Sequence, residues 1–304
     1  MTANSLLSTL SDRLSSFIRT HGETRLGSTL MLGPALLTVF LLMVVPALLL
    51  IRYSFLPFED GAIGNGFTLD NYRRIGSISL YLNVTIRTVR IAVAVTVFSF
   101  LLAFPLAYTA VRKGGLLGRI IVLSAFAPLT IDLVIRSFGW YALLSTGGLV
   151  QSALVATPLF TEETAPQLLY NELSIIIGMT HVILPFVVFP IVNVLHTIPP
   201  SLEEAARDLG ANRLTVFRTI IFPLALPGIA AGLLMAFLLT MAAYVTPAIL
   251  GGRIEVLPTI ITSLITGSNN WPFASALSII LIVVAIVIIV AYHHVRKHIV
   301  EGVA

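Results

Sequence analysis

The chain of 304 residues contains no cysteine, and only 11% of its residues are charged. Without cysteine there is no disulfide, no thiolate metal ligand and no cysteine nucleophile, so thiol redox chemistry is excluded. The shortage of charge, set against 57% hydrophobic residues and a mean hydropathy of +0.98, excludes a water-soluble domain of ordinary make-up. A G-x-x-x-x-G-K-[ST] phosphate loop is also missing, so the chain cannot hydrolyse ATP by itself. No nucleophile with a base, and no metal cluster, stands at one membrane depth, so the sequence offers no catalytic residue and no metal site. His293, His294 and His298 gather near the end of the chain. They accompany Arg296 and Lys297 at a helix C-terminus, where cations suit the dipole. A pI near 9.6 does not imply nucleic acid, because the arginines are scattered at span ends rather than gathered on one soluble face.

What is present is a series of apolar runs. Leu30 to Ile51, Ile91 to Val111, Ile175 to Leu195, Ile229 to Leu250 and Ala274 to Tyr292 carry almost no charge. Each approaches the ~20 residues that cross a bilayer core as a helix. A sixth, weaker run from about Ile120 to Ile135 is interrupted by Pro128 and Asp132 and needs protein neighbours to shelter its backbone and carboxylate. The expected fold is all-α, a polytopic transmembrane helical bundle of about six spans. Ahead of the first span, Ser5 to Arg25 is polar with a narrow apolar face, and reads as a short surface helix or a frayed segment rather than a signal peptide.

With the amino terminus inside and six spans, eleven of the 18 basic residues fall on the cytoplasmic side. They are Arg13, Arg19, Arg25, Arg112, Lys113, Arg119, Arg207, Arg213, Arg218, Arg296 and Lys297. The positive-inside bias thus favours cytoplasmic termini. The basic turn Arg112 to Arg119, with three glycines, reads as a positive-inside anchor. The segments Phe55 to Ser79 and Thr157 to Glu172 become external loops. This divides the chain into a cytoplasmic segment, 1–28, and a transmembrane domain, 29–304, with a cytoplasmic loop at 196–227.

That loop is the most polar interruption between late spans. Pro199 and Pro200 end the preceding helix, and Ser201 can cap a new one with Glu204 at its third position. Gly210 ends this short helix, and Asn212 caps a second from Arg213 to about Phe222, before Pro223 and Pro227 lead into the next span. In the first helix Leu202, Ala205, Ala206 and Leu209 share a face, while Glu203, Arg207 and Asp208 point elsewhere. A small apolar face with flanking charges suits a groove on a partner protein, or equally the underside of the chain's own bundle.

Glu204-Ala205-Ala206, then Gly210, Ile220 and Pro223 at fixed spacing, resemble the EAA signature of permease subunits of binding-protein-dependent, ATP-driven importers. Phe222 stands where members of that family usually have leucine. The resemblance implies the type I ABC importer permease fold in a bacterial inner membrane. It also implies that the loop couples to a cytoplasmic ATPase through Glu203, Glu204, Ala205, Ala206, Asp208, Gly210, Ile220 and Pro223. The implied partners are two ATPase subunits that bind ATP and Mg, a second permease subunit, an extracytoplasmic solute-binding protein and membrane lipid. No cofactor is expected in this chain. From about Asn83 onward the chain is similar to spermidine/putrescine-type permeases, through Pro128 to Trp140, Gly147 to Val150, Tyr244 to Gly252 and Asn270-Trp271-Pro272. Leu129, Thr130 and Asp132 depart from that pattern.

Five residues are candidates for a solute path. Asp132 either attracts a cationic solute or pairs internally with Arg136 one turn on. Tyr141, Tyr244 and Trp271 offer aromatic faces to an ammonium group, or anchor at the membrane interface. His181 reads as a hydrogen-bonded core histidine and the methionines as packing residues. The leading expectation is import of a small cationic solute such as a polyamine, spermidine or putrescine. An ABC permease for another small organic solute, such as an amino-acid or opine-like compound, is the alternative. A secondary transporter or channel is more distant, because Asp132 is the one clear mid-membrane acid.

Overall fold

A computed structural model of the chain describes residues 25–161 and 163–301. The proposed surface helix at Ser5 to Arg25 lies outside the described residues, apart from Arg25. Two compact units divide at Tyr53 and Ser54. Among the described residues the first holds one helix, α1 (Arg25–Ser54), which carries Pro34 and Pro46 within a largely apolar run.

The second unit begins with a two-residue-per-strand hairpin, β1 (Phe58–Glu59) and β2 (Ala62–Ile63). Asp60 and Gly61 both adopt positive φ at its turn, as a tight hairpin of this hand requires. After α2 (Asp70–Ser77) comes α3 (Ser79–Lys113), whose 35 residues extend about 52 Å. That exceeds the ~30 Å hydrocarbon core, so α3 is long enough to cross it even when tilted.

The weak sixth run is not one helix. α4 (Gly115–Phe126) passes into a single 3-10 turn, Ala127–Thr130, and α5 starts afresh at Leu133–Leu144. Proline and the polar Thr130 and Asp132 break the chain between the halves. The candidate span lies further along, at Leu133–Val155, where α5 and α6 (Leu149–Val155) are joined through the turn at 145–148.

α7 (Glu172–Thr197), α8 (Pro200–Asp208) and α9 (Arg213–Val216) follow. A π-helical turn at Phe217–Ile221 then joins α9 to α10 (Phe222–Met241). The last elements are α11 (Val245–Leu250), α12 (Leu257–Thr266) and α13 (Trp271–Glu301). Among the described residues, six helices are long and apolar enough to cross a membrane. Beyond the displaced third span, α3 begins at Ser79, well before Ile91, and two later boundaries also differ from expectation. The fifth span runs over Arg213–Met241 rather than Ile229 to Leu250, and the helix begun at Arg213 does not stop near Phe222. Pro223 follows Phe222 just after the π turn, and the backbone before it is already helical, so the chain continues.

α3, α7 and α10 enclose the main core, with Val95, Ala103, Ala107, Met179, Val187, Ile191, Leu195, Ala225, Ile229 and Ala236 buried in one cluster. Small residues set the spacing. A β-carbon on Gly228 would lie 2.6 Å from the Pro190 carbonyl oxygen, so α7 and α10 approach at backbone distance, a habit of helices packed in lipid.

Candidate functional site at the interhelical loop

α7 ends at Thr197, and Ile198 and Pro199 turn the chain with extended backbone. Pro200 then occupies the first helical position of α8, where its fixed φ helps and its absent N–H is not missed. This corrects the expected cap: Ser201 lies inside the helix, Pro199 is the N-cap, and no side chain caps it. The other end follows expectation. Gly210 has φ +87°, its N–H donates to the Arg207 carbonyl (2.9 Å) and the Ala211 N–H donates to the Ala206 carbonyl (3.0 Å). These two bonds make a Schellman closure, for which glycine is the unstrained residue. Asn212 Oδ1 then accepts from the Thr215 N–H (2.9 Å) and caps α9.

Of the two orientations left open for α8, the structure shows the one with its leucines outward, and Glu203, expected to couple to the ATPase, is not on that exposed face. Glu203 is 5% exposed and points into the protein. Its Oε1 accepts from Arg112 Nε (2.5 Å) and its Oε2 from the Tyr108 hydroxyl (3.0 Å), while Arg207 lies 3.6 Å away. Arg112 also donates through Nη1 to the carbonyls of Ile198 (3.1 Å) and Leu195 (3.5 Å). A buried carboxylate needs opposite charge and donors, and the last two turns of α3 supply both. Arg112 is therefore more than a positive-inside anchor.

Turning Glu203 inward turns the leucines outward. Leu209 is 90% exposed, Leu214 63% and Leu202 43%, and Glu204, Ala205, Asp208 and Arg213 are exposed beside them. Ala206 and Ala211 pack against the main core, with Phe217 and Phe222. Ile220 and Pro223 are half-buried. The loop thus presents apolar side chains ringed by charge on a short, firmly seated helix, which is the form of a protein-docking knob.

The path candidates fall into separate places. Asp132 does not pair with Arg136. Its Oδ1 caps α5 by accepting from the N–H groups of Val134 (2.8 Å) and Ile135 (3.3 Å). Arg136 Nε and Nη1 are buried without a hydrogen-bond partner. On the next residue, Ser137 shares a hydrogen bond with Thr246 of α11 (3.0 Å). One turn beyond Arg136, Trp140 Nε1 donates to His181 Nδ1 (3.1 Å), in agreement with the expected hydrogen-bonded histidine. Tyr141 packs in a cluster with Leu144, Leu169 and Leu250 and accepts a hydrogen bond from the Tyr170 hydroxyl (3.1 Å). That bond raises the Tyr170 phenol above its ordinary 10.0. Tyr244 is exposed at the start of α11. Trp271 opens α13 and donates to Asn269 Oδ1 (2.8 Å). Among the described residues it shares no hydrogen bond or ring contact with the other four.

No group of three potential metal ligands occurs among the described residues. The His298 side chain lies outside them. Sequence reasoning missed the roles of Tyr108 and Arg112, which lie four residues apart on one face of α3. Their spacing is a local signal, but their target is distant in the chain.

Residues 26–301 match the family described as "Binding-protein-dependent transport system inner membrane component". The chain is 31% identical over 262 residues to the spermidine/putrescine transport system permease protein PotB of Escherichia coli, covering 86% of this chain and 93% of that protein. It is 35% identical over 120 residues to the permease protein PotC of the same system, covering 39% of this chain and 45% of PotC. Among solved structures, a chain of a bacterial alginate ABC transporter, in complex with a periplasmic protein that holds an alginate pentasaccharide, superposes with a TM-score of 0.68 at 18% identity. That match covers 94% of this chain and 98% of the other and shares the fold. The six apolar helices, the knob between the fourth and fifth, and the match over almost the whole chain together identify it as a member of the binding-protein-dependent transport system inner membrane components, the permease subunits of ABC importers.

Proposed function

We propose that this permease forms half of the passage through which a small cationic solute, a polyamine such as spermidine or putrescine, is imported. The observation that carries the solute class is the likeness to PotB over most of both chains. The knob α8 is the part on which a cytoplasmic ATPase docks, with Glu204, Ala205, Asp208 and the three leucines against the partner. On this reading both termini are cytoplasmic, and ATP and Mg are bound by two ATPase subunits. A second, different permease completes the passage, as the pairing of PotB and PotC names in one system suggests, and a solute-binding protein delivers from outside. Because the chain carries no phosphate loop, it is the conduit and not an enzyme.

Reconstitution of the chain with its neighbouring subunits in vesicles tests the proposal. Radiolabelled spermidine should accumulate only with ATP and the binding protein. Uptake driven by an ion gradient alone, without the ATPase, would sink it. A second reading, a solute that bears a carboxylate, draws on Arg136, whose buried Nε and Nη1 make no hydrogen bond and whose charge attracts anions and repels ammonium groups. Competition of uptake by amino-acid-like compounds, but not by spermidine, would favour it.

A further inference from the structure

The cluster around Glu203 joins three elements at one point. Arg112 sits on the last turn of α3, bonds Glu203 of α8 and also reaches carbonyls at and just beyond the C-terminus of α7. Its side chain is 13% exposed, whereas Lys113, Arg119, Arg207, Arg213 and Arg218, the other arginines and lysine near this end, are exposed. A residue that only orients a chain in the membrane stays in water or among headgroups. Burial of Arg112, at the cost of leaving Nη2 without an acceptor, points to a different task.

A guanidinium is a rigid planar fork, so bonds made through Nε and Nη1 fix both acceptors relative to each other. If α8 were drawn away from α3, Glu203 would lose the Arg112 and Tyr108 donors and keep only Arg207 of its own helix, while Arg112 would keep only carbonyl acceptors in place of a carboxylate. Moving α8, α3 and the end of α7 together breaks nothing in the cluster. On its other side α8 continues through Gly210 and the π turn. There the hydrogen-bond ladder already departs from α geometry, and it yields more easily. We propose that Arg112 is the positioning residue of the docking knob: by holding Glu203 it makes α8, α3 and α7 one rigid lever, so a push from the ATPase reaches the passage through α3 and α7. This rests on the docking role proposed above.

The test uses the complete importer in proteoliposomes, with spermidine as the probe, and records two quantities: ATP hydrolysed and spermidine taken up per ATP. Arg112→Ala and Glu203→Ala should each leave the amount of copurified ATPase unchanged. Each should lower uptake per ATP by about tenfold, within the range of coupling between distant sites. The double variant should be no worse than either single one, because both remove the same joint. Should Arg112→Ala fail to assemble, Arg112→Lys serves in its place. It keeps the charge for Glu203 but cannot fork to the α7 carbonyls, and intermediate coupling is expected. Uptake per ATP at the wild-type value in Arg112→Ala, or in Arg112→Lys if only that assembles, overturns the lever, as do additive losses in the double variant. A wild-type assembly that takes up no spermidine with ATP overturns the proposed function itself, and the lever with it.

Discussion

Replacing Leu209 by alanine isolates the docking surface from the folding of the subunit. Leu209 is 90% exposed and belongs to no buried cluster, so its loss should change the subunit's own stability by no more than about 0.5 kcal/mol. On docking, nearly the whole side chain is available for burial. The substitution removes three carbons, and at about 0.8 kcal/mol for each buried carbon the loss is about 2 kcal/mol. That weakens ATPase binding about 30-fold. Leu202 is already half-covered, at 43% exposure, and Leu202→Ala should cost about half as much. The measurement is the Kd of the purified ATPase for the permease pair in nanodiscs. Leu159→Ala is the control: this side chain is also highly exposed, but it precedes the opposite end of α7. A Kd for Leu209→Ala within about twofold of wild type, or an equal loss in Leu159→Ala, would refute the assignment of this face to docking.

Three further perturbations follow from the packing. Gly228→Ala sets a β-carbon 2.6 Å from a backbone oxygen and should lower the melting temperature in detergent, by about 1–3 kcal/mol of overpacking. Gly33→Ala, which meets nothing within 4 Å, should not, and equal melting of the two would contradict the close approach of α7 and α10. Trp140→Phe removes the donor to His181 Nδ1 and should cost about 1–2 kcal/mol; a thermal double-mutant cycle with His181→Ala should give clearly non-additive losses, and additivity would deny the bond. Asp132→Ala removes a helix cap worth about 1 kcal/mol, whereas Asp132→Asn should melt as the wild type does. If Asp132→Asn nonetheless reduces spermidine uptake, the carboxylate serves the solute; unchanged uptake confines it to capping.

The parts of the fold that were legible in the sequence are those decided within a few residues. Spans follow from local hydropathy, and Gly210 and Asn212 mark helix ends because closure and capping involve only adjacent turns. The direction in which α8 faces was not legible. Periodicity sets Glu203 opposite the leucines, but leaves open which of the two faces is turned to the bundle. What decides it is a guanidinium and a phenol 91 and 95 residues earlier in the chain. Asp132 shows the opposite case. Its role as a cap was present locally, between Pro128 and a new apolar run, yet the high cost of a charge in a membrane directed attention to Arg136 instead. The broken half-helices α4 and α5 were foreshadowed by the same proline and aspartate.

The π turn at Phe217–Ile221 also bears on compass direction. The Phe222 N–H bonds back five residues, to the Phe217 carbonyl, so this turn holds one residue more than an α-helical ladder. Each residue of an α-helix accounts for about 100° of rotation. That single extra residue therefore sets the bearing of α9, and of the knob before it, relative to everything beyond in α10. Two chains alike at every side chain of the knob, but differing by one residue in this turn, would aim it at different quarters of the same partner.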